Sequence, residues 1–134
     1  MTTPKQKVLD SFHTEFMDKS PLNASLENLF LLKSIGDFEV ELYELDYDET
    51  NEVFNKDLMR YEISTLGALM YKHYVSREKD RILKLNNVVG KDIKITSMGD
   101  SKRTAIKNYE MAKDESYKMM EKLKGGSYQV KIGM

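Results

Sequence analysis

The stretch Lys56–Asn86, KDLMRYEISTLGALMYKHYVSREKDRILKLN, decides the fold. It has no Pro and a single Gly, Gly67, and its apolar residues Leu58, Tyr61, Ile63, Leu66, Leu69, Met70, Tyr74, Ile82 and Leu85 recur at helical spacing. A helix of about 30 residues rises about 45 Å. That exceeds the width of a compact 134-residue domain, so the element is expected to kink at Gly67 or to pack against another subunit. It is predicted to be the longest helix, with its stripe buried against a final helix.

That final helix is predicted to start near Ser97 or Asp100, either of which can cap it, and to run to Lys124. Its stripe is Ala105, Ile106, Tyr109, Ala112, Ser116, Met119, Met120 and Leu123, and Gly125-Gly126 stops it. Between the two long elements, Asn86–Ser97 carries Val88, Val89, Ile93 and Ile95 and reads as a short extended piece or hairpin. The tail Ser127–Met134 alternates Tyr128, Val130 and Ile132 with polar residues, a strand-like pattern that predicts pairing with a neighbouring surface.

Towards the N-terminus, Pro4 suits the first turn of a helix over about Lys5–Lys19, with Val8, Leu9, Phe12 and Phe16 on one face. Ser20-Pro21-Leu22-Asn23 breaks it, and Asn23 or Ser25 can cap a second helix carrying Leu26, Leu29, Phe30 and Lys33. Gly36-Asp37 marks its end or a kink. Phe38, Val40 and Leu42 alternate like a strand while Phe38, Leu42 and Leu45 also satisfy a helix; with Glu39, Glu41 and Glu44 as good helix formers, a third short helix over Asp37–Leu45 with Asp37 as cap is favoured, and Asp46–Asn55 reads as an acidic loop. The fold class is therefore mainly α: a helical bundle with one long helix, a short extended segment and a strand-like C-terminal tail. Residues 1–124 form one helical domain, and 125–134 a tail for inter-subunit or partner contact.

Charge is split by position. Residues 1–71 hold 14 acidic and 6 basic side chains, whereas residues 72–134 hold 8 acidic and 15 basic, although the whole chain sums to −1. Such a chain is complementary to a copy of itself or to a partner of fixed sign. The acidic partner patch is Asp46, Asp48, Glu49 and Glu52. The basic, phosphate- or partner-facing set, which the resemblance given below would place along a DNA channel, is Lys72, Arg77, Lys79, Arg81, Lys84, Lys91, Lys94, Lys102, Arg103 and Lys107, and the tail interface is Tyr128, Val130 and Ile132. Glu78 and Asp80 interleave with the cations, so a solvated helix face competes with phosphate binding.

Catalytic and metal chemistry find little support. His13 and His73 lack partners at metal-ligand spacing. The run Asp46-Tyr47-Asp48-Glu49-Thr50-Asn51 begins like a calcium loop, but Asn51 stands where that loop needs Gly and Asp57 where it needs Glu. Gly99-Asp100-Ser101 reads as a helix start rather than a nucleophile, and Gly90-Lys91 lacks the upstream Gly of a phosphate-binding loop. No catalytic residue, cofactor or metal is assigned. With no cysteine, no secretory apolar segment and no run long enough to span a bilayer, a soluble, unexported, non-membrane protein is expected.

The arrangement Leu31-Leu32-x-x-Ile35-x-Asp37-Phe38-x-x-x-Leu42, then an acidic loop, then Phe54-x-x-x-Leu58-x-x-x-Glu62-x-x-x-Leu66-x-x-Leu69-Met70, precedes a basic segment, Lys91-Asp92-Ile93-x-Ile95-Thr96-Ser97 and a long helix. Over about residues 26–124 this resembles the head-to-tail connector (adaptor, or neck) proteins of tailed bacteriophages. The resemblance implies a non-enzymatic virion protein, assembled in the host bacterial cytoplasm as a homo-oligomeric ring, commonly of about twelve copies. The ring would dock on the portal protein, meet tail or neck proteins and continue the DNA channel. The alternative is a nucleic-acid-associated regulator or DNA-packaging accessory that binds DNA non-specifically through the basic half.

Overall fold

The computed structural model describes residues 2–15, 22–89 and 95–125. The elements in order are β1 (Thr3–Pro4), α1 (Lys5–His13), α2 (Ala24–Glu41), β2 (Tyr47–Asp48), β3 (Val53–Phe54), α3 (Arg60–Val89) and α4 (Ile95–Gly125). The protein is mainly helical, a bundle of four helices with a small three-stranded sheet.

The bundle is organised around α3. Six consecutive residues, Thr65 to Met70, are all buried. Six positions go more than once round a helix of 3.6 residues per turn, so this stretch is enclosed on every side rather than along one stripe. The enclosing elements are α1, α2 and α4, and the most extensive contact in the molecule is between α3 and α4. These two helices run antiparallel: Lys72 Nζ lies 5.9 Å from the centre of the Tyr117 ring, and Lys79 Nζ lies 4.3 Å from that of Tyr109. Ala105, Ala112 and Ser116 are buried on α4, where small side chains allow close packing of the pair.

Helix α3 is continuous through Gly67. The glycine permits contact. A Cβ at Gly67 would lie 2.5 Å from Ser11 Oγ, 2.9 Å from Ser11 Cβ and 3.1 Å from the Phe12 backbone nitrogen. This close approach seats Phe12, fully buried, where its ring meets Phe30 and Tyr74 edge-on at 6.4 and 6.5 Å between centroids. Val8, Leu31, Phe38, Leu66, Leu69, Met120 and Leu123 complete the core around it.

Several local expectations change. Asn23 caps α2 as expected, accepting the Ser25 N–H at 2.7 Å, but α2 continues through Gly36 to Glu41. Asp37 is therefore a mid-helix residue, not the cap of a separate helix over Asp37–Leu45. The acidic segment Asp46–Asn55 is a β-hairpin, not a loop: Tyr47 pairs with Phe54 and Asp48 with Val53, and β1 adds through Thr3 opposite Phe54. Burial of Phe54 and Leu45 drives this. The Thr3 hydroxyl locks the sheet to the start of α3, donating to the Lys56 carbonyl at 2.9 Å and accepting the Leu58 N–H at 3.0 Å.

Of the stretch Asn86–Ser97 expected to be extended, the described residues are helical, since α3 runs to Val89 and α4 begins at Ile95. Ser97 and Asp100 consequently lie inside α4 and do not cap it. At 31 residues α4 exceeds the 30 of α3, so α3 is not the longest helix. Residues 16–21, 90–94 and the tail 126–134 lie outside the described residues, and with them the readings of Phe16, Lys91, Ile93, Lys94, Tyr128, Val130 and Ile132.

The two mid-helix glycines should respond oppositely to alanine. At Gly67 an overpacking cost of about 1–3 kcal/mol outweighs the helix-propensity gain of about 1 kcal/mol. Gly67→Ala should therefore lower the unfolding free energy in urea. Gly36 is exposed with nothing within 4 Å of an added Cβ, and Gly36→Ala should raise stability by about 0.5–1 kcal/mol.

Candidate functional site

Helix α2 lies antiparallel to α3, as two contacts show. Asp37 meets Lys72 and His73 in the middle of α3, while Leu26 and Leu29 near the start of α2 face Asp80, Arg81 and Lys84 further along it. Between the two helices lies an open groove of about 450 Å³. Its floor is Leu26, Leu29 and Phe30, and its cationic rim is Lys33, Arg77, Arg81 and Lys84, with His73 at one end and Asp80 within it. Leu29 is 47% exposed there. Glu78 orders the two arginines, 2.7 Å from Arg81 and 3.4 Å from Arg77. Lys33 and Lys84 form no ion pair among the described residues.

The ten cations expected to form one basic surface divide. Arg77, Arg81 and Lys84 line the groove. Lys72 and Lys79 turn toward α4: Lys72 is largely buried, 3.1 Å from Asp37, and Lys79 sits over the Tyr109 ring, 3.8 Å from Asp80. Both are held in contacts within the protein. Lys102, Arg103 and Lys107 are exposed on α4. Lys33, His73 and the apolar floor were not assigned to any site in the sequence, because the register of α2 against α3 is a tertiary fact.

The acidic patch is brought together at the hairpin. Asp48 Oδ1 accepts the backbone N–H groups of Thr50 and Asn51 at 3.0 and 3.2 Å, and Asn51 Nδ2 donates to Asp48 Oδ2 at 2.7 Å. Those hydrogen bonds hold the Asp48 carboxyl below its ordinary value. Asp46 and Glu52 lead into β2 and β3 at positive φ of 55° and 60°, and the Asp46 carbonyl accepts the Asn55 N–H at 2.8 Å at the open end of the hairpin. Glu52 pairs with Lys5 at 2.9 Å, while Asp46 and Glu49 are exposed. Asp48 thus spends its oxygens inside the turn. The described residues include no group of three or more His, Cys, Asp or Glu arranged to hold a metal ion.

Two partly buried junctions carry titratable groups. At the first, burial tends to raise the Asp37 pKa, but hydrogen bonds from His73 Nε2 at 2.7 Å and Lys72 Nζ at 3.1 Å win and lower it. Ser34, one turn away, is fully buried and its hydroxyl has no hydrogen-bond partner among the described residues. That burial excludes solvent-borne substrate, so Ser34 and His73 do not make a nucleophile and base. At the second, Glu15 is raised first by burial and then by Glu115, and Tyr71 is raised by burial and by the same two carboxylates.

On the sequence-charge split the structure imposes a direction. The hairpin adjoins the N-terminal end of α3, whereas the groove lies about 20 residues along it, or about 30 Å. Lys56, Lys122 and Lys124 moderate the acidic end, Lys124 lying 4.0 Å from Glu41. The positional asymmetry in sequence has become an axial one. Among the described residues no helix is long and apolar enough to cross a membrane. In comparison with known proteins, the chain matches no family model, and no curated protein or solved structure is significantly similar to it.

The two junctions should titrate with opposite signs. Asp37, lowered in the fold, contributes stability above the ordinary carboxylate range that disappears as pH falls through its folded pKa. Asp37→Asn should cost about 1 kcal/mol near neutrality, a low figure because the carboxyl is partly exposed, and the deficit should close in acid. Glu15, raised in the fold, contributes stability in acid that is lost as pH rises. Glu115→Gln should therefore stabilise by about 0.5 kcal/mol at neutral pH and not in acid. Urea titrations across pH check both.

Proposed function

We propose that the chain is a non-enzymatic structural subunit of a tailed-bacteriophage virion, a head-to-tail connector that docks on the portal in a ring and continues the DNA channel toward the tail. The observation that carries this reading is the separation of charge along α3, with the acidic hairpin at one end and the cationic groove about 30 Å away. A subunit with opposite charges at its two ends suits a position between two partners, and oppositely charged surfaces steer stacked components into register. The enclosed middle of α3 gives such a subunit a rigid axis.

The groups nearest to catalytic chemistry serve the fold. His73 and Lys72 converge on Asp37, and Glu62 accepts the Tyr43 hydroxyl at 2.5 Å and the Met59 N–H at 2.7 Å, closing the first turn of α3. A second reading, non-specific DNA binding, draws on the exposed Lys102, Arg103 and Lys107 with the groove cations. Glu78 and Asp80 stand among those cations and weaken that reading for a single subunit.

Mixing the protein with portal rings from its own virion and imaging the complex tests the proposal. The expected result is an added ring of density on the tail-facing side of the portal. Portal rings that stay bare at low salt, with duplex DNA bound instead and released steeply by added salt, would establish the nucleic-acid reading in its place.

A further inference from the structure

The groove between α2 and α3 and the acidic turn at the other end of the molecule are complementary, and one copy cannot bring them together. From Arg60, beside the hairpin, to Arg81 in the groove is about 30 Å of continuous helix. We propose that the groove receives the β2–β3 hairpin of a second copy, with Asp46, just before β2, and Glu49, in the turn, set against Lys33 and Lys84. The proposal deepens the reading of the chain as an assembly subunit by naming the surfaces through which copies meet.

Three observations favour this occupant. Lys33 and Lys84 have no ion pair among the described residues, while Arg77 and Arg81 are already engaged by Glu78; two lysine positions are open, and the hairpin carries two exposed carboxylates, Asp46 before β2 and Glu49 in the turn. The groove floor is apolar, with Leu29 47% exposed, which suits a protein surface better than a phosphate chain. The turn is also preorganised, because Asp48 binds the Thr50 and Asn51 backbone and little conformational freedom remains to be lost on docking.

The contact joins two different surfaces, so it is heterologous: every copy keeps one groove and one turn available, and association continues until a ring closes or a filament forms. That property sets the test. Lys33→Glu with Lys84→Glu removes the groove charges without breaking an ion pair of the protomer. Asp46→Asn with Glu49→Gln removes the hairpin charges without creating a cation that the Glu-substituted groove could accept, Asn being tolerated at the positive φ of residue 46.

In sedimentation velocity at low salt, wild type should form concentration-dependent assemblies larger than a dimer. Each double variant should keep its helical circular dichroism and associate on the order of tenfold or more weakly. An equimolar mixture of the two variants should form a one-to-one dimer and stop there, because it contains one intact groove and one intact turn. Wild type that remains monomeric, variants that assemble as wild type does, or a mixture that fails to dimerise would each overturn the proposal. Short duplex DNA that binds wild type and not the groove variant, without self-association, would assign the groove to nucleic acid. Failure to dock on a portal would leave this contact standing, so the two readings fail separately.

Discussion

Everything in this fold depends on enclosing the middle of α3. Thr65–Met70 is buried at every position, and a helix surrounded on all sides needs three neighbours at close range. Helix α4 supplies one by folding back antiparallel, α2 supplies another, and α1 approaches closely because residue 67 has no side chain. The polar members of the stretch are kept satisfied locally: Thr65 donates back to the Tyr61 carbonyl at 2.7 Å, and on α4 Ser116 does the same to Lys113 at 2.9 Å. The close fit of α1 also explains how a nine-residue helix, too short to persist alone, holds its place.

Because α3 is the common axis, its two ends acquire different company. The N-terminal end takes the sheet, tied on by the two hydrogen bonds of Thr3, and with it the acidic turn. Further along, α2 and α3 leave the groove open between them, with its rim of cations. Neither end alone identifies a partner. The pairing of the two, at a separation one molecule cannot bridge, is what motivates the proposed contact between copies.

Much of this was legible in the sequence, and the reason is periodicity. The apolar spacing of Leu66, Leu69 and Met70 and of Ala105, Ala112 and Met120 predicts two long helices that pack together, as they do. Asn23 was readable as a cap because its side chain has a local job. What escaped was decided by distant contacts. Strands of two residues, such as Tyr47–Asp48 and Val53–Phe54, are too short for alternation to register, and positive φ at Asp46 and Glu52 is not advertised by glycine. Gly36 suggested a stop where α2 runs on, because packing of Ile35 and Phe38 outweighs one poor helix former. The register of α2 against α3, which no sequence spacing shows, decides which cations share the groove: Lys72 and Lys79 contact Asp37 and Tyr109, whereas Lys33 joins from another helix.

Zero-length carbodiimide cross-linking of an equimolar mixture of isotope-labelled and unlabelled protein tests the central claim most directly, since it joins only amines and carboxylates already in contact. Mixed-isotope peptides linking Lys33 or Lys84 to Asp46 or Glu49, formed at low salt and lost at high salt, are the predicted result. Mixed-isotope links absent at low salt, with links confined to pairs inside one molecule such as Lys5–Glu52 and Lys72–Asp37, would contradict it.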